Sequence, residues 1–137
     1  MERDKQIHDV SDKCEHRCKR TKCRRRTVTV TAWPNVLVLH FKRWLPTIFP
    51  GVFMKGRRKV VFPVTLTDAH VPWVNGIHYI LRSVLVHHGD AGGGHYTTFC
   101  RDNSGNWYHH DDSVVRQTNF EETTTVEATM LFYERAS

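Results

Sequence analysis

The residues with the clearest capacity for chemistry are a histidine behind three glycines, Gly92-Gly93-Gly94-His95, and two adjacent acids downstream, Asp111 and Asp112. Between them, Asn103-Ser104-Gly105 has the composition of a tight turn. Folding residues 95–101 back on 106–111 about residues 103–104 gives pairing partners that sum to about 207. His95 then falls opposite Asp112 and Tyr96 opposite Asp111, within one residue either way. Paired or diagonal side chains across such strands lie about 5–8 Å apart at Cβ, which lets a carboxylate reach an imidazole. A histidine held by a carboxylate is the base and orienter of a nucleophilic triad. The acid fixes the tautomer and stabilises the imidazolium, and the other ring nitrogen is free to deprotonate a nucleophile. The glycines remove side chains where a substrate backbone could come close. The same residues also suit a glycine-rich hairpin with a purely structural His–Asp pair. Spacing alone leaves both readings open.

The elements that must position these residues read as β structure. Thr27 to Thr31 alternates with period two, as a half-buried strand does. Val36-Leu37-Val38-Leu39-His40-Phe41 is nearly all apolar and suggests a strand covered on both faces. Leu45 to Gly56, with Pro46, Pro50 and Gly51, reads as a loop excursion. Val60-Val61-Phe62-Pro63 reads as a short strand stopped by proline, and Ile77 to Val86 as a long β run. His87 to Gly94 reads as a flexible loop. His95 to Arg101 and Asn106 to His110 make the hairpin described above, and Thr129 to Tyr133 is a closing strand. No helical periodicity stands out. The expected class is mainly β, an antiparallel sheet.

Composition bounds the rest. A hydrophobic fraction of 39% with 11% aromatics supplies a core. No stretch approaches the roughly 18 apolar residues of a membrane helix, and the residues after Met1 are polar, so a cytoplasmic or nuclear protein without a membrane partner is expected. The net charge of +6 is uneven: Arg17 to Arg26 holds seven basic residues and no acid. That run could meet an acidic surface or nucleic acid, but it reads better as a solvated stretch, and no nucleic-acid partner is expected. Cys14, Cys18 and Cys23 cluster within ten residues at and just before this run, and Cys100 stands apart. Clustered cysteines with no secretory signal point to metal ligation or its remnant rather than to disulfides. Cys100 lies an odd five residues beyond His95 on the same strand, about 16 Å away and on the opposite face, and is expected to be structural.

Four blocks carry a resemblance. Gly93-Gly94-His95-Tyr96-Thr97-Thr98-Phe99-Cys100-Arg101 with Trp107-Tyr108-His109-His110-Asp111-Asp112-Ser113 resembles the histidine box of ubiquitin-specific proteases, the papain-like cysteine deubiquitinases. Pro34-Asn35-Val36-Leu37-Val38-Leu39-His40-Phe41-Lys42-Arg43-Trp44, Val60-Val61-Phe62-Pro63 and Leu131-Phe132-Tyr133-Glu134 are similar to three further blocks of that family, in the family's order. The resemblance implies that residues 14–137 are the C-terminal portion of such a catalytic domain, its palm and fingers without the thumb, behind a polar tail at 1–13. It makes His95 the general base, Asp111 its orienting carboxylate and Asp112 a secondary aid to the oxyanion. Gly92, Gly93, Gly94 and Tyr96 become substrate-binding positions, around a channel for the ubiquitin tail that Leu39 to Trp44 also lines. The reaction implied is thiol attack on an isopeptide or peptide carbonyl after ubiquitin's C-terminal glycine, with ubiquitin and ubiquitinated proteins as partners. No cofactor is implied for catalysis. Cys14 and Cys18 fall near one pair of the family's structural zinc ribbon, a possible half-site.

The family's nucleophile belongs to an upstream cysteine box that these residues do not contain. Three readings follow. The chain is a hydrolase fragment that needs a cysteine-box half, or a catalytically dead ubiquitin-binding or scaffold module, or a basic, metal-stabilised nucleic-acid binder.

Overall fold

A computed structural model describes residues 8–10 and 24–26 by their backbone, and 30–71, 74 and 76–136 in full. The chain divides into two units, Met1–Trp33 and Pro34–Ser137. In the first, β1 (His8–Val10) pairs antiparallel with β2 (Arg24–Arg26), so part of the expected polar tail is strand. Residues 27–29 lie outside those described, and Val30 and Thr31 belong to no strand.

The second unit is built on one antiparallel sheet. Its strands are β3 (Val36–His40), β6 (Thr65–Leu66), β7 (Tyr79–Asp90), β8 (Gly93–Arg101), β9 (Trp107–Asp111), β10 (Val114–Thr118) and β11 (Ala128–Arg135). A separate hairpin is made by β4 (Trp44–Pro46) and β5 (Phe53–Lys55), and the only helix among the described residues is α1 (Phe120–Thr124). The sheet order is β10-β9-β8-β7-β11-β3, with β6 on β7 beside the end of β8.

The long strand β7 shows how sequence pattern becomes a core. Tyr79 and Leu81 are buried, and so are Val84 and Val86, which have the opposite parity. Strict alternation would send one pair to each face. The pairing of β7 with β11 slips by one residue between Phe132 and Tyr133, a bulge that lets both pairs face the same core. Leu131 and Tyr133 of β11 and Phe99 of β8 complete it. Two buried tyrosines also anchor irregular chain: Tyr79 donates to the Pro34 carbonyl at 2.7 Å and Tyr133 to the Pro63 carbonyl at 2.8 Å.

The structure corrects several expectations. Among the described residues Val36 to His40 is an edge strand paired only with β11, and Val36 and Val38 are exposed rather than covered on both faces. An apolar run alone cannot separate an edge strand from a central one. Leu45 to Gly56 holds the β4–β5 hairpin rather than an unstructured excursion. Val60 to Pro63 is not a strand; the pairing begins at Thr65. The stretch His87 to Gly94 is mostly strand: β7 runs to Asp90, and only Ala91 and Gly92 make the turn. The β10 strand and α1 had no clear periodicity. α1 is fixed by Asn119, whose side chain accepts from the Glu122 N–H at 3.0 Å, and by Phe120 packing on Trp107 and Phe62.

Candidate active site

Two hairpins bring the chemistry-bearing residues together. The first, β7–β8, turns at Ala91-Gly92 and places Gly93 and Gly94 at the start of β8, just before His95. Gly94 does not have a left-handed backbone; glycine is needed because a Cβ would collide with the His88 carbonyl and the His87 ring. Gly93 is open to solvent. The second hairpin, β8–β9, turns at residues 102–106, where Asp102 accepts from the Asn106 N–H at 2.8 Å. Its pairs, from Arg101↔Trp107 to Thr98↔His110, sum to 208 rather than 207.

That single step matters. A sum of 207 would set Asp111 opposite Tyr96, on the face away from His95. The observed register continues to place Asp111 beside Thr97, so that His95 is its diagonal neighbour on the same face. The Nε2–H of His95 donates to Asp111 Oδ1 at 2.5 Å. The hydrogen bond to Asp111 raises the His95 pKa above its ordinary value; desolvation opposes it, and the charges of Asp111 and Asp112 add to the rise. The Asp111 carboxyl is correspondingly held below its ordinary value, chiefly by the bond to His95. Because Nε2 is engaged, Nδ1 is the nitrogen left to exchange a proton with a third group.

Asp112 follows in the β9–β10 turn with φ 49, a left-handed backbone for a non-glycine residue. Its carboxylate comes within 4.8 Å of the other two donor groups. A metal could in principle bridge three such atoms, but the direct His95–Asp111 bond already satisfies two of them, and the cluster is open to water.

A cleft of about 200 Å³ lies between the sheet and the β4–β5 hairpin, and Tyr96, the chain neighbour of His95, is in its lining. His40 and Arg43, Trp44 and Lys55 of the hairpin, and His87 of β7 also line it. Arg43 is buried and ties the hairpin base to the sheet, donating from Nε to the Ala128 carbonyl at 2.7 Å and from Nη1 to Gly56 and Arg58. Two buried side-chain atoms of cleft-lining residues, Arg43 Nη2 and His87 Nδ1, have no hydrogen-bond partner among the described residues.

Tyr96 therefore lines a cleft, Gly93 and Gly94 form the strand that leads to His95, and Gly92 stands in the turn. Sequence reasoning missed Lys55 and His87. The signal was available in the unbroken β propensity through His87 and His88, but the glycines that follow outweighed it. Cys14 and Cys18 lie outside the described residues. Cys100, the one described cysteine, is on the other face of β8, with Sγ 3.7 Å from Ser83 Oγ.

The protein-family model for ubiquitin carboxyl-terminal hydrolase matches residues 2–133. This chain belongs to that family. Ubiquitin carboxyl-terminal hydrolase 8 of Arabidopsis thaliana is 36% identical over 109 residues, which are 74% of this chain and 12% of that protein. The human ubiquitin carboxyl-terminal hydrolase 31 is 33% identical over 156 residues, 93% of this chain and 11% of the relative. Among solved structures, the SAGA DUB module of Ubp8 with Sgf11, Sus1 and Sgf73 bound to monoubiquitin superposes with a TM-score of 0.79 at 28% identity, over 97% of this chain and 31% of the other. The same module bound to ubiquitin aldehyde gives 0.77 at 26%. The chain thus spans about a tenth of the length of these curated hydrolases and under a third of the solved chains. The antiparallel sheet is the part of the hydrolase fold that these residues build.

Proposed function

We propose that this chain provides the base-and-orienter portion of a thiol-dependent ubiquitin carboxyl-terminal hydrolase, with His95 as general base and Asp111 as its orienting acid. The observation that carries this is the 2.5 Å bond from His95 Nε2 to Asp111, which leaves Nδ1 as the ring nitrogen to exchange a proton with a thiol. In this reading His95 takes the proton of a cysteine thiol, the thiolate attacks the carbonyl carbon of ubiquitin's last glycine, and His95 returns the proton to the leaving amine as the C–N bond breaks. Water then hydrolyses the acyl-enzyme. Asp111 stabilises the imidazolium at each stage, and Asp112 lends negative charge beside it. The cleft takes the tail of ubiquitin in extended form, and the small residues Gly93 and Gly94 leave room for the chain end.

The thiol must come from a segment other than the described residues, since Cys100 faces away and sits against Ser83. Mixing the chain with a family cysteine-box segment, and probing with a ubiquitin bearing a C-terminal electrophile, tests this. Labelling of the added cysteine that requires His95 and Asp111 supports the reading. Labelling of Cys100 in the chain alone, or labelling indifferent to His95→Ala, overturns it. Ubiquitin binding without labelling would favour a binding module instead. The same reading keeps Cys14 and Cys18 as half of a structural zinc site, checked by whether zinc copurifies and is lost in Cys14→Ser.

A further inference from the structure

The segment that carries His95 is braced from beneath by a second histidine. His87, on β7, is only 6% exposed. Both of its backbone polar groups are engaged: the N–H donates to Thr129 Oγ1 at 3.2 Å, and the carbonyl accepts from the buried Lys55 Nζ. Its ring lies 4.7 Å from the Tyr96 ring and stands edge-on to Trp44 at 5.5 Å. The ring also presses so closely on Gly94 that an added Cβ there would overlap Nε2 and Cε1. His87 therefore touches the residue before His95 and the residue after it.

We propose that His87 is a positioning residue for His95, its ring a wedge that sets the path of Gly94 to Tyr96 and so aims the His95 imidazole at Asp111. This rests on the reading of His95 and Asp111 as an acid–base pair, and adds what holds that pair in register. The two residues belong to a pairing that is recorded only as far as Thr98↔His110, so the ladder between β8 and β9 does not itself hold His95. The wedge comes from the other side, through β7. His87 is kept there although its Nδ1 is buried without a partner among the described residues, an unfavourable arrangement that a structure tolerates where geometry matters more than local stability. Burial, with the nearby charges of Lys55 and His88, holds His87 below the ordinary imidazole pKa against the opposing pull of Asp90, so the wedge stays neutral while His95 titrates.

The test follows the His95 ring by NMR through a pH titration of the full chain at low concentration. The wild-type midpoint should lie above 6.5. In His87→Ala it should fall most of the way to 6.5, and in His87→Gln, whose amide reaches the place of Nε2, it should be largely restored. Val84→Ala removes buried volume from the same strand without touching residues 94–96; it should lower the unfolding temperature and leave the His95 midpoint alone. If His87→Ala does not fold, His87→Asn takes its place with the same expectation. A His95 midpoint that stays at the wild-type value in the His87 variant overturns the wedge. A wild-type midpoint that is not raised, or does not move in Asp111→Asn, removes the acid–base pair and the wedge together, so the two failures are told apart.

Discussion

At the scale of single residues, the pairing of His95 with Asp111 fixes a pH window. The His95 pKa is raised in the fold, so its contribution to stability is complete below 6.5 and is lost as pH rises through the folded value. The Asp111 pKa is lowered, so its contribution is complete above 3.8 and is lost as pH falls through the folded value. The pair therefore stabilises most between about pH 4 and 6.5. Urea midpoints at low salt should show a decline from pH 5 to pH 8 that is reduced in Asp111→Asn; an unchanged slope would count against the pair. Both groups are open to water, so the effect is small and salt weakens it. Gly94→Ala acts differently, by overpacking. It should cost roughly 1–3 kcal/mol in urea unfolding and, in a reconstituted hydrolase, about a hundredfold in turnover through misplacement of His95. The histidine, the acids and the glycines were legible in the sequence because residue type and spacing declare them. Which acid meets His95 did not follow from the hairpin spacing, because that depends on a register one residue finer than a turn composition specifies; only the family resemblance pointed to Asp111.

At the scale of elements, the β9–β10 hairpin is the most exacting. Its two-residue turn holds Asp112 at φ 49, a conformation that costs an ordinary side chain about 1–2 kcal/mol and glycine almost nothing. Asp112→Gly should hold or raise the unfolding temperature, and Asp112→Val should lower it by several degrees in a scanning calorimeter. If Asp112→Val were as stable as Asp112→Gly, the strain argument would fail. Next to it, Glu122 joins α1 to β10, accepting from Arg116 and from the Thr118 hydroxyl. These bonds lower its pKa to about 2, so its contribution is present above 4.5 and disappears as pH falls toward 2. Glu122→Gln should flatten acid unfolding over that interval, read by circular dichroism. The sequence hid β10 and α1 because a five-residue strand with four exposed positions and a helix of little more than one turn carry no periodic apolar signal. Their stability comes from a cap, an ion pair and the packing of Phe120 on two aromatic rings, which are tertiary facts. The β7 bulge was hidden for a related reason, since a parity change in a strand is visible only once its partner is known.

At the scale of the whole molecule, the distribution of apolar surface departs from what a self-sufficient domain would show. The tip of the β4–β5 hairpin presents Ile48 at 91% and Phe49 at 64% exposure, flanked by exposed Val52, Phe53 and Met54. The edge strand β3 adds Val36 and Val38, beside backbone groups that no further strand among the described residues pairs. Contiguous apolar surface of this kind and an open strand edge are both templates for association. The chain on its own should therefore self-associate as its concentration rises, and bind a dye specific for exposed apolar surface. With a net charge of +6, repulsion between copies opposes this at low salt. Sulfate should strengthen association, by screening that repulsion and by favouring apolar burial, and low salt should weaken it. The double variant Val38→Lys with Phe49→Lys should lower the light scattering at every concentration without lowering the unfolding temperature, because neither side chain belongs to the core. A chain that sediments as a monomer throughout, or one whose association is dispersed by salt, would show that these faces are not sticky and that attraction between unlike charges is the force at work.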